Sequence, residues 1–287
     1  MEAAPRIHWH LQRETRFPFG RRSAVAEWLE PIGFPPPWET RPWIYANMVA
    51  SVNGIVAWSR SGPDDDPVRA VLGDDETRPE RIADRRHMRH LRCFGDVGIG
   101  AQTLREQPRL VQTPQEPGEP PVPELYRFRT AHGLSYQPRH VIYSLYGCLD
   151  LELPVFNTPG VEVIALTTGT GAAELRSCGA EKKGVDLIAD DLERPDGLVR
   201  AHERLFADRG VRYVDCEGGG TVLRALHGAG LLDEVFVTVT DVAIDESLHA
   251  GVVKIFDFEA EGAALVAEGR IGEASPWRFR RWRFNQR

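Results

Sequence analysis

An α/β fold with a mostly parallel central sheet and an antiparallel C-terminal edge is predicted from the sequence. From residue 140 onward, short apolar runs of strand length alternate with helical segments, which is typical of parallel sheets. The last two apolar runs, near 264–268 and 278–284, have no helix between them, so they are expected to pair antiparallel at one edge. The chain has 287 residues, which is enough for one large core.

The predicted elements begin with a core strand near Trp43 that ends at the turn Val52-Asn53-Gly54. The capping-box spacing of Thr77 and Glu80 predicts a basic helix that runs through Arg92. A strand interrupted by glycines follows over 96–103. Further strands are predicted over 140–144, 161–166, 185–189, 211–216 and 234–240, and helices over 197–209 and 221–228.

Two connections are longer than simple turns. Residues 59–73 are polar and turn-rich, which predicts a mobile flap, and the proline-rich stretch 108–124 is interpreted as a solvated insertion. Residues 1–40 are interpreted as an N-terminal extension with a helix candidate over 23–30. The remaining residues, 41–287, are expected to form one domain.

Composition and charge argue against several classes of function. The net charge of −7 does not favour nucleic-acid binding, and the basic, aromatic stretch 277–284 is interpreted as a solvated edge strand with a bulge. No apolar run approaches the length of a membrane span, and the four scattered cysteines suggest neither a disulfide framework nor a metal site. A cytoplasmic protein is therefore expected.

The turn after the predicted strand 211–216 carries the strongest functional signal. Glu217 is followed by Gly218, Gly219, Gly220 and Thr221, the last of which is expected to open a helix. Glycines let backbone amides approach a phosphate, and a helix N-terminus adds partial positive charge. The spacing matches neither a dinucleotide fingerprint nor a P-loop, so an ordinary α/β corner is an equal alternative for this turn alone.

Four segments taken in order resemble the riboflavin-biosynthesis pyrimidine reductase family. They are 41–54, 97–105, 139–144, and the pair of motifs Glu-Gly-Gly-Gly-Thr at 217–221 and Gly-Leu-Leu-Asp-Glu at 230–234. The resemblance implies a dihydrofolate-reductase-like fold with helices on both faces of the sheet. The chain has no His-x-Glu with a later Pro-Cys-x-x-Cys, so the zinc deaminase half of the bifunctional members is not expected.

The resemblance also implies an activity, in which NADPH transfers hydride to C1 of a ring-opened ribosylamine on a phosphorylated pyrimidine. A homodimer is implied as well. The positions that match cofactor contacts are Val49, Thr103, Ser144, Gly218, Gly219, Gly220 and Thr221. The positions that match substrate contacts are Ser51, Arg92 and Glu217.

Two departures from the family pattern affect the expected chemistry. Asn53 stands where the family has an acid, and Glu106 is the nearest match to a second acid in a loop that is one residue shorter. These two residues are the candidate catalytic positions. The alternatives are a reductase of a pterin or another heterocycle, and a cofactor-binding protein without catalysis.

Overall fold

The computed structural model describes residues 5–13, 35–62, 64–115 and 122–285. The predicted helix at 23–30 and part of the proline-rich stretch lie outside these residues. The strands are β1 (His8–Gln12), β2 (Trp43–Ala50), β3 (Ile55–Ala57), β4 (Asp96–Gly100), β5 (His140–Ser144), β6 (Val163–Thr167), β7 (Asp186–Ala189), β8 (Tyr213–Gly218), β9 (Glu234–Val239), β10 (Val253–Lys254), β11 (Ala263–Arg270) and β12 (Arg278–Phe284). The α-helices are α1 (Pro67–Leu72), α2 (Pro79–Phe94), α3 (Ala101–Glu106), α4 (Pro123–Ala131), α5 (Pro154–Asn157), α6 (Gly169–Ser177), α7 (Pro195–Arg209) and α8 (Gly220–Gly228).

The central sheet has ten strands in the order β1-β11-β12-β9-β2-β8-β4-β5-β6-β7. The strands from β9 to β7 run parallel to one another, whereas β12, β11 and β1 pair antiparallel on the other side of β9. The predicted mostly parallel sheet with an antiparallel C-terminal edge is confirmed. The outermost strand on that edge is β1, which comes from the predicted N-terminal extension.

Helices cover both faces of the sheet, as the resemblance implied. On one face, Tyr45 of β2 packs with Phe94 of α2 and Phe128 of α4. On the other face, Val214 of β8 packs with Leu205 of α7 and Leu226 of α8. Alternate residues of the parallel strands therefore face separate apolar layers, because successive side chains of a strand point to opposite sides.

The predicted start of the basic helix is wrong. Helix α2 begins at Pro79 with Arg78 as its N-cap, and the Thr77 hydroxyl donates to Asp75 at 2.7 Å rather than capping the helix. Proline fixes the backbone angle that the first helical position requires, which places the helix start after Arg78. The predicted strand over 96–103 also ends early, at Gly100, and its last residues form α3.

Five of the helices, α1, α3, α4, α5 and α6, were not predicted as helices. Each has at most nine residues, and α1 and α4 lie in the stretches that were interpreted as a flap and a solvated insertion. Short helices carry too few turns to show a clear hydrophobic period, and packing against the sheet stabilises them instead. None of the helices among the described residues is long and apolar enough to cross a bilayer.

Strand β12 is not the solvated edge strand that was predicted. It lies between β9 and β11, and the register irregularity is in β11, between Leu265 and Ala267. Arg281 is 2% exposed and its Nη2 donates to Glu234 Oε2 at 2.5 Å. Arg283 binds the other oxygen of Glu234 at 2.6 Å. The sequence predicted that both arginines are solvated, but both bind one fully buried carboxylate.

We predict that Arg281→Ala lowers the free energy of unfolding by about 3–5 kcal/mol, because it leaves the Glu234 charge buried with less compensation. The matched control is Arg280→Ala on the same strand, whose partner Glu268 forms a more exposed pair. Its expected cost is below about 1 kcal/mol. Urea unfolding of the two variants measures the difference, and equal costs would contradict the assignment of Arg281 to the core.

Candidate active site

The topology places a crevice at the carboxyl ends of β4 and β8. The chain leaves β4 into α3, whose Leu104 packs with Ile99 on one face of the sheet. It leaves β8 into α8, whose Leu226 packs on the opposite face with Val214. Adjacent parallel strands whose connections leave toward opposite faces form the crevice in which α/β proteins bind ligands.

Glu217 lies in a β-bulge at the mouth of this crevice. Gly98 of β4 pairs with Cys216 and Ile99 pairs with Gly218, so Glu217 is the extra residue. A bulge of this kind can redirect a side chain. Here the Glu217 carboxylate reaches α2 on the neighbouring layer.

Arg92 and Glu217, the two predicted substrate contacts, bind each other. Arg92 Nη2 donates to Glu217 Oε2 at 2.6 Å, and Nε donates to Oε1. Their side chains are 6% and 5% exposed. Gln112 Nε2 donates to Glu217 Oε2 at 2.7 Å, and Arg92 Nη1 donates to the Thr113 carbonyl at 3.2 Å. The start of the proline-rich stretch is thus part of this network rather than a solvated insertion.

This ion pair lies at the edge of a cavity of about 350 Å³. Helix α2 lines it with a row of charged side chains and a methionine, and α1 adds apolar groups from the stretch predicted as a flap. The described lining residues are Asn47, Met48, Val49, Asp66, Val68, Leu72, Arg81, Asp84, Arg85, Met88, Arg92, Thr103, Gln107, Leu110, Gln112 and Glu217. The predicted residues Val49, Thr103, Arg92 and Glu217 are therefore brought together around one space.

The three-glycine turn lies beside the cavity, against Thr103. A Cβ on Gly218 would stand 3.1 Å from Thr103 Cγ2, and Gly219 has a φ of +88°, which disfavours other residues. Helix α8 begins at Gly220 with Gly219 as its N-cap, so the expected opening of the helix by Thr221 is wrong and its side chain is exposed. The first amides of α8 have no intrahelical acceptor and can bind an anion.

Ser144 lies at the same edge of the sheet, at the end of β5. It is 6% exposed and pairs in register with Thr167 of β6. The following loop is packed closely on α6, because a Cβ on Gly147 would stand 2.1 Å from the Gly171 carbonyl oxygen. Ser144 is thus at the carboxyl edge of the sheet, on the strand next to β4, and does not line the cavity.

Solved structures share this architecture at low sequence identity. A pyrimidine reductase-like protein from Corynebacterium diphtheriae matches with 19% identity and a TM-score of 0.56. The match covers 86% of this chain and 93% of that protein. A diaminohydroxyphosphoribosylaminopyrimidine deaminase/5-amino-6-(5-phosphoribosylamino)uracil reductase from Thermotoga maritima matches with 16% identity and a TM-score of 0.55 over 86% of this chain and 58% of that protein. Acinetobacter baumannii RibD matches with 18% identity and a TM-score of 0.56 over 85% of this chain.

The chain has the dihydrofolate-reductase-like fold of the pyrimidine reductases. It spans about 58% of the length of the Acinetobacter and Thermotoga proteins. Neither a protein-family model nor a curated protein matches the sequence. At these sequence identities the structural similarity shows the fold alone, and the residues at the cavity determine the chemistry.

The two candidate catalytic residues lie outside the cavity of this reductase fold. Asn53 is exposed, and its Oδ1 accepts from Ser51 Oγ at 2.8 Å while its Nδ2 donates to the Ile244 carbonyl at 2.8 Å. Ser51, a predicted substrate contact, is fully buried in the same turn. Glu106 is exposed on α3 and accepts from Gln102 at 2.7 Å. The structure gives Asn53 and Ser51 a role in holding the β2-β3 turn.

Two other acids, one that lines the cavity and one that is buried beside Glu217, were missed in the sequence. Asp84 of α2 lines the cavity and accepts from Thr238 Oγ1 at 2.5 Å, and burial raises its pKa. Asp215 of β8 is fully buried two residues before Glu217. Burial and then the charge of Glu217 raise the pKa of Asp215 well above its usual range. Asp84 was hidden among the arginines of a basic helix, and Asp215 in an otherwise apolar strand.

Arg129 fixes the end of α2 that carries Arg92. It is fully buried, and its Nη1 donates to the carbonyls of Arg92 and Gly95 at 3.0 Å. These carbonyls lie at the C-terminal end of α2, where a helix has free acceptors and partial negative charge. The guanidinium therefore sets the position of the last turn of α2, including the backbone of Arg92.

We predict that Asp215→Asn becomes progressively more stable than the wild type as the pH rises above about 4, the ordinary pKa of an unfolded aspartate. Above this pH the unfolded Asp215 is ionised, whereas the folded Asp215 keeps its proton. Folding of the wild type therefore takes up a proton, and its free energy of unfolding falls as the pH rises. The difference in unfolding free energy should grow by about 1.4 kcal/mol per pH unit until the raised folded pKa is reached.

Denaturant unfolding of both proteins at several pH values measures this difference. Asp190→Asn is the control with the opposite sign, because hydrogen bonds from Arg200 lower the pKa of Asp190. A difference between Asp215→Asn and the wild type that does not change with pH would contradict a protonated Asp215.

Proposed function

We propose that the protein is an NADPH-dependent reductase of a phosphoribosylaminopyrimidine in riboflavin biosynthesis, with hydride transfer to C1 of the ring-opened ribosylamine. The observation that carries the proposal is the meeting of Val49, Thr103, Arg92 and Glu217 around one cavity beside the glycine turn. The fold was expected from the same sequence segments that supply these residues. The proteins that share this fold include a pyrimidine reductase-like protein and a bifunctional deaminase/reductase.

The residues at the crevice fit a nicotinamide dinucleotide. A side chain on Gly218 would crowd Thr103, and the positive φ of Gly219 disfavours any other residue, so the glycines leave backbone amides open to a pyrophosphate. In this assignment the pyrophosphate is held by Gly218, Gly219, Gly220, Thr221 and Thr103, the nicotinamide lies against Val49, and the adenosine ribose lies at Ser144. The bound cofactor supplies the hydride.

The substrate is assigned to the cavity itself. Glu217 accepts hydrogen bonds from the pyrimidine, and the positive charges of α2 attract the phosphate. Arg92 is already paired with Glu217. Arg81 and Arg85 line the same cavity and add positive charge that can attract an anion. Ser51 and Asn53 hold the turn that ends β2, which carries Val49.

We predict that the purified protein oxidises NADPH when 5-amino-6-(5-phosphoribosylamino)uracil is added. Absorbance of the reduced nicotinamide measures the reaction, and an incubation without the pyrimidine is its control. Parallel reactions with NADH show whether the protein prefers the cofactor that carries the 2′-phosphate. Tight NADPH binding without turnover would support a cofactor-binding protein that lacks catalysis, and no binding of either cofactor would contradict the proposal.

A second candidate is reduction of a pterin or related heterocycle, and Asp84 favours it. An acid on the early helix that faces the cavity and is held by Thr238 can bind the amino and ring N–H groups of such a ring. Dihydropterin substrates in the same assay distinguish the two candidates. Turnover of a pterin with none of the pyrimidine would replace the first proposal by the second.

We predict that Gly219→Ala lowers NADPH affinity at least tenfold, because its φ of +88° strains an alanine and reorients the amides of the turn. Gly228→Ala, at the other end of α8, is the control, since a Cβ there meets no atom within 4 Å. Titration calorimetry measures both affinities. Equal affinities for the two variants would remove the glycine turn from the cofactor site.

We also propose, from the resemblance, that the protein acts in the cytoplasm as a homodimer. One reductase domain over 41–287, preceded by an extension that contributes β1, remains the proposed domain division. Light scattering at micromolar concentration checks the dimer, with a monomer contradicting it.

A further inference from the structure

Arg92 and Glu217 line the cavity, and the buried carboxyl group of Asp215 interacts with both of them. Asp215 is fully buried, and the Glu217 and Arg92 side chains are 5% and 6% exposed. Arg92 directs its bidentate contact at Glu217. Asp215 and Glu217 are near enough to interact as acid and base, yet neither Asp215 oxygen has a partner in good hydrogen-bond geometry among the described residues.

Charge balance requires this group to hold one proton. A buried carboxylate without a counterion or hydrogen bonds is strongly disfavoured, and Arg92 compensates only one negative charge. Two neighbouring carboxyls in such a site share a single proton, as like charges at short range do not both ionise. Glu217 is the ionised partner in the resting protein because it faces Arg92.

The other groups around Asp215 do not compete for that proton. Tyr45, its neighbour on β2, donates its hydroxyl to the Leu91 carbonyl at 2.7 Å. On the β4 side stands Val97, and beyond it His140, whose Nε2 accepts from the Gln112 amide. Burial and the charge of Arg92 lower the pKa of His140 to about 4. Arg129 acts on Tyr45 through its charge, and its Nη1 donates to carbonyls at the end of α2.

We propose that Asp215 is a positioning residue that holds a proton for Glu217, so that the two carboxyls together supply the acid of the reduction. The inference rests on the proposed function. It assigns to this pair the acid role for which Glu106, which lies outside the cavity, was the candidate from the sequence. Glu217 contacts the substrate in this scheme and Asp215 acts through it.

The step consumes one proton. Opening of the ribosylamine ring breaks the C1–O bond, the nitrogen lone pair forms a C1=N bond, and the ring oxygen takes a proton from Glu217 after exchange with Asp215. The negative charge left on the carboxyl pair would balance the cationic C1=N group. A bound nicotinamide would supply the hydride at C1, the C=N electron pair would return to nitrogen, and solvent would return a proton to the carboxyl pair.

The test compares the wild type with Asp215→Asn, which keeps the size of the side chain but cannot donate an acidic proton to Glu217. With NADPH and 5-amino-6-(5-phosphoribosylamino)uracil, we predict that kcat at pH 7.5 falls at least tenfold. The loss of kcat with rising pH should also begin at least one pH unit lower, because Glu217 must then take its proton from solvent. NADPH affinity should be unchanged.

Asp186→Asn, the same change at an acid outside the cavity that pairs with Arg209, is the matched control and should leave kcat and its pH profile unchanged. Unchanged kcat and pH profile in Asp215→Asn, or an acid limb lost in Asp84→Asn and not in Asp215→Asn, would overturn the inference. An inactive wild type would instead reject the proposed function and, with it, the acid role of the pair.

Infrared difference spectroscopy tests the shared proton without any turnover. The wild type should show the C=O band of a protonated carboxyl group at pH 7, and Asp215→Asn should lose it. Glu217→Gln should lose it as well, because the group is then neutral only with an ionised Asp215 beside Arg92, and thermal unfolding checks that this variant folds. A wild type that lacks this band at pH 7 overturns the inference, whatever its substrate.

Discussion

The ion pair between Arg92 and Glu217 is the contact on which the site depends, because it joins α2 to the bulged end of β8. Both groups are almost completely buried, so each requires the other: an unpaired charge at that depth would destabilise the fold. Arg129 fixes the backbone on the α2 side and Gln112 adds a hydrogen bond on the β8 side. The cavity wall formed by α2 is thereby held against the strand that leads into the glycine turn.

The same pair explains why polar groups accumulate in an apolar layer. Tyr45, Asp215 and His140 lie on the sheet face that α2 covers, and each is held in its neutral form by burial. A site that contains one guanidinium and two carboxyls is close to neutral only when it keeps a proton. This constraint, rather than any single hydrogen bond, connects the stability of the protein to the acid–base chemistry proposed for it.

Much of the architecture could be predicted from the sequence because it follows from local patterns. Strands β5 and β12 have the predicted bounds, and most other strands of the parallel sheet differ by a few residues at their ends. The errors have physical causes. Short helices such as α4 are stabilised by packing rather than by their own period, and β12 reads as solvated because its arginines are neutralised by a glutamate that is distant in sequence.

The sequence by itself determined the α/β class, the order of the strands along the chain and the glycine turn, because hydrophobic period and backbone freedom are local properties. It also identified Val49, Thr103, Arg92 and Glu217 through a resemblance. Only the tertiary structure decided that Arg92 and Glu217 bind each other, and that Asp215 is buried beside them. It also decided that Asp84 lines the cavity and that Asn53 and Glu106 do not. Those facts depend on one bulge in β8 and on the packing of α2, which bring together residues that are up to 125 positions apart in the chain.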